Sequence, residues 1–219
     1  MSGPPPFVVI DCAMLSVATG VSAQNLRELR DRLRSVPASS LYFHFWGAHL
    51  RSGFEEPEYS NDFASWAQRG LNDLGLAERL GVIDPAGELE GLREQLLEAV
   101  EQRLYEREFV PWAPADQEFH FLRATLLVFD TGLRLNTPQA LGAALPRFSP
   151  GSLFYHFIDA RRRPPEGIDD FRAWLSGFGD RYAVLNERIA AIDPNFISLS
   201  QLGRQLSQAF AAHAEGDPT

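Results

Sequence analysis

Phe7-Val8-Val9-Ile10-Asp11-Cys12-Ala13-Met14-Leu15-Ser16-Val17-Ala18-Thr19-Gly20 is the stretch on which the fold turns, and Phe119 to Gly132 repeats its pattern. Phe7, Ile10, Met14 and Val17 stand at helical spacing, whereas Val8-Val9-Ile10 and the alternating Phe119 and Phe121 fit a strand. Both readings stay open on periodicity alone. Thr19-Gly20 and Thr131-Gly132 then read as chain breakers. Everything downstream of each segment is patterned as helix. The expected fold is therefore mainly α: two pseudo-symmetric helical repeats, with room for short strands at the start of each.

The match between the two stretches extends in both directions from this point. Phe7 to Arg51 aligns without a gap on Phe119 to Arg163, so that Ser40-Leu41-Tyr42-Phe43-His44-Phe45 falls on Ser152-Leu153-Phe154-Tyr155-His156-Phe157. After a short deletion, Asp62-Phe63 and Trp66 fall on Asp170-Phe171 and Trp174. Leu76, Glu78 and Arg79 fall on Leu185, Glu187 and Arg188, and Ile83-Asp84-Pro85 on Ile192-Asp193-Pro194. Leu92, Gln95, Leu96 and Ala99 fall on Leu202, Gln205, Leu206 and Ala209. Rare residues, Trp and His among them, match in order. The expected organisation is a repeat over 7–104, a connector over 105–118 stiffened by Pro111 and Pro114, and a second repeat over 119–213, packed as one globular body.

Within each repeat the helices announce themselves. Leu26, Leu29, Leu33 and Val36 form an apolar face behind Asn25, and Thr137 with Pro138 opens the matching helix. Aromatic-rich helices begin near Ser40 and Ser152. The next begin at Asn61-Asp62 and Asp169-Asp170, where Asp62 and Asp170 read as helix caps that accept backbone N–H bonds rather than as catalytic carboxylates. The Thr-Gly, Ser-aromatic-aromatic-His, Asp-Phe with a following Trp, and Ile-Asp-Pro motifs together resemble a duplicated bacterial domain family of unknown function. The resemblance covers nearly the whole chain and implies no activity.

Four residues stand out as candidate ligand contacts. On a helix Leu41, His44, Ala48 and Arg51 share one face, and Leu153, His156, Ala160 and Arg163 repeat it while neighbouring positions drift. One reading makes this stripe a buried contact with each histidine satisfied internally. The other makes His44, Arg51, His156 and Arg163 a site for a small anionic or sugar-like ligand, since arginine offers a planar donor fork to carboxylate or phosphate. Arg161-Arg162-Arg163 is the one basic run, and it reads as a solvated helix end.

Composition narrows the function. The net charge of −9 disfavours nucleic-acid binding. All 20 basic residues are arginine, so Schiff-base and P-loop lysine chemistry is excluded. The single Cys12 leaves no intrachain disulfide and no multi-cysteine metal site, and its apolar setting marks an inert buried thiol. No apolar run reaches the roughly 20 residues of a membrane span, and Met1 to Pro6 carries no signal-peptide pattern. A cytoplasmic location is expected, with no membrane, cofactor or metal. The leading function is a non-catalytic ligand-sensing, regulatory or partner-binding protein, its partner another protein or a second copy. The alternative is an enzyme or metal-binding protein with a site built from the two histidines and their arginines.

Overall fold

The computed structural model describes residues 4–50, 58–85, 87–106, 113–195 and 197–216. It corrects the mainly-α expectation. Phe7–Ala23 (β1) and Phe119–Leu135 (β2) are strands of 17 residues each, and they pair antiparallel as a two-stranded sheet. Strand makes up 17% of the structure beside 58% helix, which is an α/β composition.

The correction has a local cause. Thr-Gly does not stop the chain; it bends it. Gly20 and Gly132 take φ of 74° and 78°, a region open to glycine at no steric cost. The preceding threonine holds the bend. Thr19 Oγ1 donates to the Phe121 carbonyl at 2.6 Å and accepts from the Val21 N–H at 3.2 Å. Thr131 Oγ1 does the same with the Val9 carbonyl and the Leu133 N–H. Each strand therefore continues past the break that the dipeptide signals.

The chain divides into two compact units, Met14–Leu126 and Met1–Ala13 with Leu127–Thr219. Each long strand gives one half to each unit.

The Met14–Leu126 unit holds α1 (Leu26–Leu33), α2 (Ala38–Leu50), α3 (Asp62–Arg69), α4 (Leu74–Gly81) and α5 (Leu89–Glu106). Asn25 and Asn61 cap α1 and α3 through their side-chain oxygens. Leu29, Leu33, Leu76, Leu80, Leu92 and Leu96 are completely or almost completely buried. The first half of β2 brings in Phe119, stacked on Phe63 at 5.0 Å, and Phe121. Those rings complete a core whose helices all lie earlier in the chain.

The other unit holds α6 (Pro138–Ala144), α7 (Pro150–Leu153), α8 (Asp170–Ser176), α9 (Ala183–Ala190) and α10 (Leu199–Gly216). Thr137 caps α6, with Pro138 in its first turn. The first half of β1 supplies Phe7, stacked on Phe171 at 5.4 Å. Cys12 lies against the start of α7, and a Cβ at Gly151 would collide with the Cys12 carbonyl, so this approach needs glycine. Where α2 is regular, the matching stretch after α7 winds wider through Phe154–Ile158 and then tightens through Asp159–Arg162. The helical stripe expected for Leu153, His156, Ala160 and Arg163 is thus interrupted, and Arg163 has left the helix with an extended backbone.

Because each core takes its aromatic strand from outside the run of its own helices, residues 1–105 alone lack Phe119 and Phe121. Expressed alone they should give no cooperative thermal transition, and adding residues 106–219 should restore one. A sharply melting, monomeric 1–105 would contradict this arrangement.

Candidate functional site

His44 is 3% exposed on α2 and His156 is 2% exposed in the wide turn after α7. Each spans the same two partners. The Leu122 N–H donates to His44 Nε2 at 3.1 Å, and the Ile10 N–H donates to His156 Nε2 at 2.9 Å. A backbone amide can only donate, so each Nε2 is the bare acceptor nitrogen and each Nδ1 carries the proton. Nδ1–H then donates to a carboxylate, Asp62 at 2.9 Å and Asp170 at 2.6 Å. Helix capping falls one residue earlier, to Asn61 and Asp169, which frees these carboxylates for the imidazoles.

Three other matched residue types hold the same strands. Ser40 Oγ donates to the Leu122 carbonyl at 2.7 Å, so Ser40 and His44, one turn apart, satisfy both backbone groups of Leu122. The Trp66 indole donates to the Gln117 carbonyl at 2.6 Å and the Trp174 indole to the Pro5 carbonyl at 2.7 Å. The threonines add the contacts already described. The motif Thr, His, Asp and Trp of both stretches, and Ser40 of the first, pin the strand segments or orient the residue that does, whereas the Ser152 hydroxyl accepts from Ser149 Oγ.

Of the four candidate ligand contacts, His44 and His156 are engaged through both ring nitrogens, each within its own unit. Arg163 Nη2 donates to Asp170 at 2.8 Å and to the Tyr155 carbonyl at 3.0 Å, and the guanidinium lies over the Tyr155 ring at 4.1 Å. Burial is the largest influence and disfavours the Arg163 charge, but the hydrogen bond it donates to Asp170 and the charges of Asp170, Tyr155 and Asp159 together raise its pKa. Arg51 lies outside the described residues. Beside this cluster Asp169 is fully buried, and burial pushes its carboxyl above the usual range despite Arg161 and Arg172 nearby. The Cys12 thiol donates to the Gly151 carbonyl, and burial pushes its pKa up to about 12, which leaves it protonated and unreactive. Among the described residues no group of three or more His, Cys, Asp and Glu could hold a metal.

Reading the motifs missed a cleft between α6, α9 and α10, with a volume of about 590 Å³. Tyr182 and His213 line it, with ring centroids 5.1 Å apart. The registers that align Leu76 with Leu185 and Leu92 with Leu202 put Asp73 at Tyr182 and Arg103 at His213. Asp73 and Tyr182 both stand at the N-terminus of the following helix, which supports the pairing. In the Met14–Leu126 unit that position holds a two-pronged ion pair: Arg103 donates to both Asp73 oxygens at 2.8 and 2.7 Å, with side chains 11% and 6% exposed. Arg34 and Glu101 add a second bridge at 2.6 Å, where the other unit has Pro146 and Ala211. Arg30 and Asp31 likewise give way to Gly142 and Ala143. The signal in the sequence was the set of mismatches, not the matches.

A family model matches residues 4–211. The chain belongs to DUF5752, a family of unknown function. OrfY from Thermoproteus tenax has a solved structure that is 27% identical to the chain; the two agree with a TM-score of 0.82 over 98% of each. No curated protein matches. Among the described residues no helix is long and apolar enough to cross a membrane.

The clamp can be measured in stability. His44→Ala or His156→Ala should cost about 2–4 kcal/mol, from an unpaired buried amide and a lost ring. His44→Phe should keep the packing and still cost roughly 1–3 kcal/mol for the Leu122 amide. Chemical denaturation checks both; parent-like stability in all three variants would remove the histidines from the framework.

Proposed function

We propose that this protein is a non-catalytic regulatory protein that binds a small ligand in the cleft between α6, α9 and α10. What carries the reading is the contrast at equivalent positions. One unit bridges its helices at these positions with the Arg103–Asp73 and Arg34–Glu101 ion pairs, and the other has small residues and two rings there, beside the cleft. In this reading the chain arose by internal duplication of one unit. One copy stayed a frame while the other lost its bridging charges and gained a pocket. A volume near 590 Å³ sits within the range of small-molecule sites. His44, His156 and Arg163 act here as clamps on the strands, and Arg51, matched to Arg163, goes with them.

The absence of a reaction from this reading rests on the chemistry of the lining. Tyr182, His213, Arg181 and Gln139 line it with polar groups, and the lining hydroxyl of Ser207 is spent on the Gly203 carbonyl at 2.8 Å rather than paired with a base. The ligand's effect is then to fix α10 against α6 and α9, a change that a partner protein or a second copy can read.

A fragment screen followed by amide chemical-shift mapping tests this. Hits should perturb residues of α6, α9 and α10, leave α1, α4 and α5 unmoved, and disappear in Ala143→Phe, which plugs the cleft from an exposed position. Hits spread evenly over both units, or unaffected by the plug, would defeat the reading.

A further inference from the structure

We propose that a molecule in the cleft tightens the hold of His156 on β1, through a column of packed rings that runs from the cleft to that clamp. The inference rests on the binding role proposed above and specifies how the site is read.

The column can be followed ring by ring within the one unit. His213 and Tyr182 line the cleft, their centroids 5.1 Å apart. Tyr182 meets Phe178 edge-on at 5.5 Å, Phe178 meets Trp174 at 5.0 Å, and Trp174 meets Phe7 at 5.6 Å. Phe7 then lies against the His156 imidazole at 4.8 Å, and Nε2 of that imidazole accepts the Ile10 N–H. Every step falls in the range of about 4.5–7 Å over which aromatic pairs attract.

The rings have little room to yield. Tyr182, Phe7 and His156 are buried. Trp174 and Phe178 are half-buried, and the start of the chain lies on the turn that joins them. The Trp174 indole donates to the Pro5 carbonyl, and a Cβ at Gly177 would meet the Pro4 Cβ at 2.7 Å. Close-packed side chains pass a displacement on rather than absorb it. A molecule that fills the cleft beside Tyr182 therefore backs the column and holds Phe7 and His156 against the strand.

The Met14–Leu126 unit has only the inner end of this column. His44, Phe119 and Trp66 repeat it at 4.7 and 5.6 Å. Four residues after Trp174 stands Phe178, but four residues after Trp66 stands Gly70. A Cβ at Gly70 would strike the indole at 2.6 Å, so even alanine is refused there. Beyond it Asp73 and Arg103 form their ion pair. The complete column and the Tyr182–His213 cleft thus occur in the same unit.

Amide exchange followed by NMR in the full chain tests this, with Ala143→Phe supplying a ring to the cleft in place of a ligand. Exchange at Ile10 should slow by roughly fivefold or more, an ordinary coupling between two sites. Leu122, the matching amide on His44, should keep its rate. Phe178→Leu breaks the column, and in that background Ala143→Phe should leave the Ile10 rate unchanged. Equal slowing at Ile10 and Leu122 means general stabilisation and overturns the relay. Slowing that survives Phe178→Leu overturns it too, as does an unchanged or faster Ile10. Fragment binding to the parent cleft judges the binding role separately: hits there beside a silent Ile10 leave that role standing without the relay, and an absence of hits removes the role and this inference with it.

Discussion

A strand in a two-stranded sheet has one edge with no neighbour, and the amides on that edge must find acceptors elsewhere or stay in water. At Ile10 and Leu122 the acceptor is an imidazole nitrogen from a helix, His156 and His44. Each bond joins residues far apart in sequence, and each closes the core of one unit. It also fixes the tautomer of the ring, which turns Nδ1–H toward Asp170 or Asp62 at the start of the next helix. One backbone amide therefore sets the positions of a strand, a ring and a helix start.

The indoles of Trp66 and Trp174 and the hydroxyls of Thr19 and Thr131 repeat that arrangement at other points of the strands. This explains why the rare residues match so well between the two stretches of sequence while their surroundings drift. Losing one of the imidazole bonds leaves a strand amide unpaired, at roughly 1–3 kcal/mol. Positions without that duty differ between the two units, as Arg103 and Asp73 do from His213 and Tyr182. Where one unit braces its helices with an ion pair, the other has a ring pair beside a cavity.

Much of the framework was legible in the sequence: the helix caps at Asn25 and Thr137, the helix starts near Asp62 and Asp170, and the residues of the two clamps. The strands were harder. Phe7, Ile10, Met14 and Val17 mimic a helical stripe because a strand whose halves serve two different cores need not alternate cleanly along its length. Thr-Gly misled for a related reason: a left-handed glycine ends most elements, but a threonine that bonds across the sheet carries a strand through it. The partners of His44 and His156 were out of reach, since backbone amides leave no mark in a sequence. The cleft was hidden because a search for matches passes over the places where the two stretches differ.

The clamp makes one direct spectroscopic claim. Long-range proton–nitrogen correlation spectra of the imidazoles report which ring nitrogen carries the proton. Both His44 and His156 should be neutral and protonated at Nδ1, with the Ile10 and Leu122 amides among the slowest to exchange with solvent. An Nε2-protonated or doubly protonated ring at either position, with fast exchange at its partner amide, would contradict the account, because no acceptor would then remain for the strand.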